Sequence, residues 1–169
     1  AVAIKLARGK RRTGFFVSFE GTEGAGKSTL IRTIAARLPQ SRDGKVLPVV
    51  ITREPRGVPV AEKIRDILLH SEMNPWTELL LYEAARAEHL SQILTPALEK
   101  GAIVLCDRFT DSTLAYQGTA RGLPWKIIDS LNQIATQGLT PDLTVWLDID
   151  PAVGLRRAKE QTRFEAEGV

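Results

Sequence analysis

The chain has 169 residues, of which 43% are hydrophobic, enough for one buried core and too few for two ordinary domains. It contains no run of eighteen apolar residues and no secretory signal at its start, so we expect a soluble cytoplasmic protein without membrane contacts. The lone cysteine, Cys106, lies within an apolar run, which excludes a disulfide framework and a zinc site.

The formal net charge is only +3, but five cations fall within the first twelve residues. Such a segment could be a nucleic-acid arm or a solvated extension. Because no aromatic residue is interleaved for base stacking, we interpret residues 1–13 as a basic extension and expect no nucleic-acid partner.

A glycine-rich motif, G-T-E-G-A-G-K-S, occupies residues 21–28 between an apolar run and an amphipathic run. Strand, glycine loop and helix in this order are typical of a phosphate-binding loop, whose backbone N–H groups point at phosphate oxygens. Lys27 would reach the outer phosphates, and the Ser28 hydroxyl would ligate Mg²⁺. The motif therefore predicts a site for a nucleoside triphosphate.

Short apolar runs alternate with helical patterns along the rest of the chain, which predicts an α/β fold with a parallel sheet covered by helices on both faces, the three-layer P-loop NTPase type. The predicted strands are residues 15–20, 48–52, 102–107 and 143–149. The predicted helices are residues 28–38, 60–70, 77–100, 111–117, 124–137 and 151–161. One domain, residues 14–169, accounts for all of them.

Charged residues follow each predicted strand, at the sheet edge where open α/β sheets bind their ligands. Asp107 ends its strand where P-loop proteins place the acid of the Mg²⁺ site, and Arg108 beside it could grip a phosphate. The chain has no guanine-reading N-K-x-D motif, and an arginine rather than a glutamate follows the strand acid. These features favour a small kinase over a GTPase or a motor ATPase. The arginines near residues 157–166 could belong to a lid that closes over ATP, or to an ordinary basic helix face.

Five motifs in order resemble thymidylate kinase of the bacterial type. They are F-E-G-T-E-G-A-G-K-S at 19–28, T-R-E-P at 52–55 with A-E-K-I-R at 61–65, L-L-Y-E-A-A-R-A-E-H at 80–89, D-R-F at 107–109 with S-T-L-A-Y-Q-G at 112–118, and G-L-T-P-D-L-T at 138–144. The resemblance implies transfer of the γ-phosphoryl group of ATP to dTMP, with Mg²⁺, in a homodimer. It also implies a final strand that has no counterpart before Val169, so we expect the domain to be incomplete at its C-terminus.

The resemblance also implies the roles of individual residues. ATP binding falls to Gly21, Thr22, Glu23, Gly24, Ala25, Gly26, Lys27, Ser28 and Thr29, and the metal site to Ser28 and Asp107. Substrate binding falls to Arg53, Tyr82, Arg86, Arg108, Thr113, Tyr116 and Gln117. Catalysis falls to Lys27, Arg108, Glu23 and the lid residue Arg163, with Arg157 as a weaker alternative.

The resemblance further implies that the ring of Tyr82 packs on thymine while Arg86, four residues later, reaches a base carbonyl. Thr113 and Tyr116 face the base and the deoxyribose, and Gln117 supports them. Glu23 approaches the sugar 3′-hydroxyl.

One departure from the family pattern concerns the acceptor side. Arg56 stands where the family has a glycine, either as an added phosphate contact or as a source of strain if that position needs a positive φ. Two other functions stay open on the sequence alone: another P-loop kinase of small metabolites or nucleotides, and a non-catalytic nucleotide-binding module.

Overall fold

The computed structural model describes residues 2–6, 13–39, 41–42 and 44–157. Its strands are β1 (Val2–Leu6), β2 (Phe15–Glu20), β3 (Ser41–Arg42), β4 (Lys45–Val46), β5 (Val49–Arg53), β6 (Ile103–Asp107) and β7 (Leu143–Leu147). Its helices are α1 (Lys27–Arg37), α2 (Pro59–His70), α3 (Pro75–His89), α4 (Thr95–Glu99), α5 (Thr110–Thr113), α6 (Trp125–Thr136) and α7 (Pro151–Arg157). In the described part of the chain, no helix is long and apolar enough to cross a membrane.

The main sheet has the order β1-β7-β2-β6-β5, and β3 and β4 form a separate short hairpin. Strands β7, β2, β6 and β5 are parallel, each joined through a helical crossover, which confirms the predicted α/β class. The chain runs from β2 outward to β5 and later returns past β2 to β7. The order therefore reverses around β2 and β6, and the crevice beyond their carboxyl ends is where such a sheet binds a ligand.

Two apolar layers cover the sheet. On one face, Phe19 and Leu105 pack with Ile31 of α1. On the other, Phe16 and Val104 pack with the helical segment from residue 90 to residue 98. Strand residues on both faces are buried, which explains the near-continuous apolar runs in the sequence.

The edge strand β1 differs from the prediction of a basic extension over residues 1–13. Val2–Leu6 pairs antiparallel with β7, from Val2 opposite Leu147 to Leu6 opposite Leu143. Apolar residues in this stretch suit a strand, and its pairing occupies the otherwise open edge of β7. The other residues before Thr13 lie outside the described residues.

The long helix predicted over residues 77–100 is interrupted. After α3 ends at His89, a π-helical turn spans Leu90–Leu94, and α4 follows from Thr95. Pro96 supplies the physical reason: it has no backbone N–H to donate, and its ring displaces the carbonyl one turn earlier. A second π-helical turn, Leu114–Ala120, continues α5 and extends past the predicted end at residue 117.

Candidate active site

The glycine loop joins β2 to the N-terminus of α1. Gly26 occupies the N-cap with φ of 92°, and no side chain caps this end of the helix. The first N–H groups of α1 are thus left for an anion, at the positive end of the helix dipole. Gly24, with φ of 71°, packs so tightly on α7 that a Cβ there would lie 2.0 Å from the carbonyl oxygen of Gly154. The loop therefore needs glycine at Gly24 and Gly26, and its contact with α7 stabilises its conformation.

Lys27 is buried and curls over the loop, where its Nζ donates to the carbonyl oxygens of Gly21 at 2.9 Å and Thr22 at 2.8 Å. Burial, and next the nearby Arg108, lower the pKa of Lys27 to about 8, although Asp107 and Glu23 oppose the shift. A phosphate next to this ammonium group would raise that pKa again and keep the side chain charged.

Ser28 and Asp107 meet at the carboxyl edge of the sheet, where Ser28 Oγ donates to Asp107 Oδ2 at 2.8 Å. The other carboxylate oxygen, Asp107 Oδ1, is buried and has no hydrogen-bond partner. A hydroxyl, a carboxylate with an unused oxygen and the phosphates of a nucleotide are hard oxygen donors of the type that Mg²⁺ prefers. The residues present therefore fit a magnesium site. Among the described residues, no cluster of three acidic, His or Cys side chains offers a metal site without such phosphates.

Arg108 occupies a strained backbone position just beyond β6. Its φ is 73°, in the left-handed region that costs a non-glycine residue about 1 kcal/mol or more. Its guanidinium donates to Glu23 Oε2 at 3.1 Å and to Ser112 Oγ at 3.2 Å, and its central carbon lies 5.2 Å from the ring centroid of Tyr116. Although burial opposes ionisation of Glu23, the charges of Arg108 and Lys27 lower its pKa overall. Arg108 thus links the phosphate loop to the pocket beyond it.

Glu20 is a site residue that the sequence analysis did not single out. It is buried at the end of β2, where its carboxylate accepts from Phe109 N at 2.7 Å and from Ser112 Oγ at 2.6 Å. Burial raises the pKa of Glu20 to about 7 despite these hydrogen bonds and the charge of Arg108. Its position between the loop and β6 makes it the anchor of the strained turn at Arg108. The F-E-G motif at residues 19–21 includes Glu20, but the motif does not show which residues Glu20 contacts.

Arg86 is 3% exposed, so it is not the surface arginine that its place on a helix would permit. All five of its N–H donors have protein acceptors. Nε donates to Glu54, Nη1 to Glu83 and Asn132, and Nη2 to Thr113 and the carbonyl of Phe109. The bond to Phe109 is the longest, at 3.4 Å, and it is the one that a base carbonyl could most easily replace.

The carboxylates around Arg86 form a buried network that the sequence did not reveal. Glu54 accepts from Arg86 and pairs with His89 Nδ1 at 3.1 Å, and His89 Nε2 lies 2.6 Å from Thr52 Oγ1. Burial opposes ionisation of Glu54, but Arg86 and His89 together lower its pKa. Burial raises the pKa of Glu83 in spite of Arg86, and its Oε2 has no partner. These groups hold Arg86 in one orientation.

The second π-helical turn presents the remaining residues predicted to contact the base and sugar. Thr113 and Gln117 are buried, whereas Tyr116 is partly exposed beneath Arg108. Gln117 Nε2 donates at 2.9 Å to the buried carboxylate of Glu78, which also accepts from Arg121. The amide of Gln117 is therefore oriented by a charged acceptor, with its carbonyl oxygen left for another donor.

Three further arginines belong to β5 and to the segment that follows it. Arg53 ends β5, Arg56 follows in the connection to α2, and Arg65 lies on α2. The Nε atoms of Arg53 and Arg56 are buried and have no hydrogen-bond partner. The positive φ of this connection is carried by Gly57, at 98°, and not by Arg56, so the alternative of a strained backbone at Arg56 does not apply.

The family model of thymidylate kinase matches residues 19–168 of this sequence. The chain belongs to the thymidylate kinase family. The thymidylate kinase of Pelobacter propionicus is 49% identical over 168 residues, which span 92% of this chain and 75% of that protein. The thymidylate kinase of Pseudomonas fluorescens strain SBW25 is 51% identical over 162 residues, which span 92% of this chain and 75% of that protein. A crystal structure of thymidylate kinase from Ehrlichia chaffeensis superposes with a TM-score of 0.75 at 39% identity, covering 85% of this chain and 81% of that one.

In this thymidylate kinase domain, hydrogen bonds link Ser28 to Asp107, Glu23 to Arg108 and Arg86 to Thr113. Tyr82 lies on α3, one turn before Arg86. Of the two residues predicted for a lid, one falls within the described part of the chain. Arg157 is exposed at the end of α7, and Arg163 lies outside the described residues.

Proposed function

We propose that this chain transfers the γ-phosphoryl group of ATP to the 5′-phosphate of dTMP, giving dTDP. Family membership supports the reaction. The observation that carries it is the Glu23–Arg108 ion pair of 3.1 Å, at which a phosphate-binding loop and an arginine-lined pocket meet. A donor triphosphate on the loop and an acceptor phosphate in the pocket would then face each other across Arg108.

The acceptor needs no general base, because the second pKa of a phosphate monoester is near ~6 and the group is already an anionic nucleophile at neutral pH. The barrier is the repulsion between two polyanions. In our proposal Arg53 and Arg108 neutralise the acceptor phosphate, and Lys27 neutralises the outer phosphates of the donor. Together they align the attacking and leaving oxygens.

For the donor side we propose that residues 21–29 bind ATP and that Ser28 and Asp107 hold Mg²⁺. When bound, the ion neutralises charge on the β- and γ-phosphates. Support comes from the unpaired Oδ1 of Asp107 and from the uncapped N-terminus of α1. Arg163 is proposed as the lid residue that stabilises the transferring group, on the basis of the family pattern alone.

For the acceptor we propose that Tyr82 stacks on the thymine, that Arg86 and Gln117 read its polar edge, and that Thr113 and Tyr116 contact the base and sugar. Two features support this assignment. The Arg86 guanidinium is held rigidly by its acidic partners, and Gln117 is oriented by Glu78, so neither side chain needs to be ordered when the base binds.

We also propose that the chain forms a homodimer and acts in the cytoplasm. Large apolar side chains are exposed on neighbouring helices, among them Ile67 of α2 and Trp76 and Leu80 of α3, at 46%, 39% and 54% exposure. Exposed apolar side chains on packed helices are a surface that a second copy can cover.

Phosphorylation of a panel of nucleoside monophosphates by ATP and Mg²⁺ tests the function. We expect dTMP to have the highest kcat/KM, and a higher value for an acceptor other than dTMP or dUMP would refute the assignment. Lys27→Met should abolish turnover while ATP binding persists. Retained turnover in that variant would show that the loop is not where the donor binds.

A further inference from the structure

The arginine cluster formed by Arg53, Arg56 and Arg65 has an excess of positive charge. Within the described ranges, none of the three takes part in a salt bridge. Two of them also keep a buried Nε without an acceptor. Since a buried donor without a partner is costly, a cluster with two such donors is organised for an anionic ligand.

The backbone places two of these arginines at the edge of the sheet that carries Asp107. Arg53 lies opposite Asp107 in the β5–β6 ladder, and Arg56 N donates to the carbonyl oxygen of Arg53 at 3.2 Å. Arg65 follows on α2, where burial and then the charges of Arg56 and Arg53 lower its pKa. The cluster therefore belongs to the carboxyl edge of the sheet, beside the predicted metal and phosphate residues.

We propose that Arg56 binds the phosphate of the acceptor nucleotide together with Arg53 and Arg65, an inference that rests on the proposed function. Arg56 would thereby increase the preference for a phosphorylated acceptor over its nucleoside. Arg56 stands where the family pattern has glycine, and its backbone adopts a conformation that a side chain tolerates. A planar guanidinium offers two parallel donors to phosphate oxygens, so a third arginine adds contacts as well as charge.

The test compares binding of dTMP and of thymidine, by calorimetry without ATP, for the parent chain, Arg56→Ala and the control Lys63→Ala. Lys63 is an exposed cation on the same helix as Arg65, so its removal changes the net charge equally. We expect the Kd of dTMP to rise roughly tenfold in Arg56→Ala and the Kd of thymidine to change less than twofold. Lys63→Ala should leave both values within twofold. Equal weakening of dTMP and thymidine, or an unchanged Kd for dTMP, would overturn the proposal.

A stability measurement separates ligand binding from a structural role. Because Arg56 adds to unbalanced positive charge, Arg56→Ala should raise the Tm of the ligand-free protein at low salt, whereas loss of a structural contact would lower it. A lower Tm together with weaker dTMP binding would count against the proposal. Arg56→Lys keeps the charge without the planar fork and should bind dTMP with an intermediate Kd.

Inorganic phosphate distinguishes failure of this inference from failure of the proposed function. If the chain prefers another nucleoside monophosphate, Arg56→Ala should still weaken binding of that acceptor and of inorganic phosphate. If dTMP is the acceptor and Arg56→Ala affects neither dTMP nor inorganic phosphate, the kinase assignment stands and the role of Arg56 is wrong.

Discussion

Gly154 joins α7 to the phosphate loop, and its replacement by alanine gives a direct test of that contact. A Cβ at Gly154 would lie 2.5 Å from the carbonyl oxygen of Glu23 and 3.2 Å from Thr22 Oγ1. Real Cβ contacts are essentially never shorter than 3.0 Å, so α7 and the loop must separate by at least 0.5 Å, the difference between 3.0 and 2.5 Å. The nearest atom belongs to backbone, which cannot move aside by changing a rotamer.

Two effects of opposite sign follow. Alanine favours a helix over glycine by about 0.8–1.0 kcal/mol, whereas an extra carbon in a packed contact costs about 1–3 kcal/mol. We therefore expect Gly154→Ala to lower the free energy of unfolding by up to about 2 kcal/mol. Because the displaced residues belong to the loop that we propose for the donor phosphates, KM for ATP should rise roughly tenfold while KM for dTMP changes little.

Urea unfolding and steady-state kinetics measure both quantities. Ser130→Ala, on the exposed side of α6, is the control, since its hydroxyl donates only to the carbonyl of Lys126 within the same helix and alanine has the higher helix propensity; it should leave both KM values unchanged. If Gly154→Ala instead raised the free energy of unfolding and left KM for ATP unchanged, α7 would not rest on the phosphate loop.

Three further predictions concern the carboxyl edge of the sheet. Burial raises the pKa of Glu20 from 4.5 to about 7. As pH rises, Glu20 therefore ionises in the unfolded chain before it ionises in the folded chain, and the free energy of unfolding falls by about 3 kcal/mol across that range. Glu20→Gln should flatten this pH dependence, and urea unfolding at pH 5 and pH 8 that gave the variant the same pH dependence as the parent chain would contradict it. Arg108→Lys should lower kcat/KM for dTMP roughly a hundredfold with little change in ATP affinity, because the compact ammonium charge of lysine cannot replace the two parallel donors of a guanidinium. Near-normal turnover with dTMP would refute this. Asp107→Asn should raise the Mg²⁺ concentration for half-maximal activity roughly tenfold, and an unchanged Mg²⁺ titration would remove Asp107 from the metal site.

Elements with a strong local signal could be predicted from the sequence. The strand at Phe15–Glu20 was assigned its observed bounds, and α1 begins at Lys27, one residue before the predicted start. The apolar run, the glycines and the amphipathic stretch that follows each dictate their own backbone conformation. The pairing of Ser28 with Asp107 also follows from topology, since Asp107 ends β6 and the loop after the adjacent strand β2 leads to Ser28 in the first turn of α1.

Contacts between distant residues could not be predicted in this way. Arg86 was expected to meet a base carbonyl, but the sequence does not show that its donors are already shared among Glu54, Glu83 and Asn132, the last of which lies 46 positions away. The pairing of Val2–Leu6 with β7 was equally hidden, because it depends on which edge of the sheet remains open. Such features depend on tertiary contacts, which a local sequence pattern does not predict.

Among the described residues, the buried side-chain atoms without a hydrogen-bond partner are Thr22 Oγ1, Arg53 Nε, Arg56 Nε, Glu83 Oε2 and Asp107 Oδ1. Arg53 and Asp107 end the adjacent strands β5 and β6, Arg56 follows in the connection to α2, and the strained φ of Arg108 comes directly after Asp107. Each of these features costs stability, and these four residues belong to the edge of the sheet at which we place an ion, a phosphate or both. A ligand that supplies the missing partners would recover that free energy on binding. The cost is therefore a property of the binding site, and variants that relieve it, such as Arg56→Ala, should stabilise the free protein and weaken the complex.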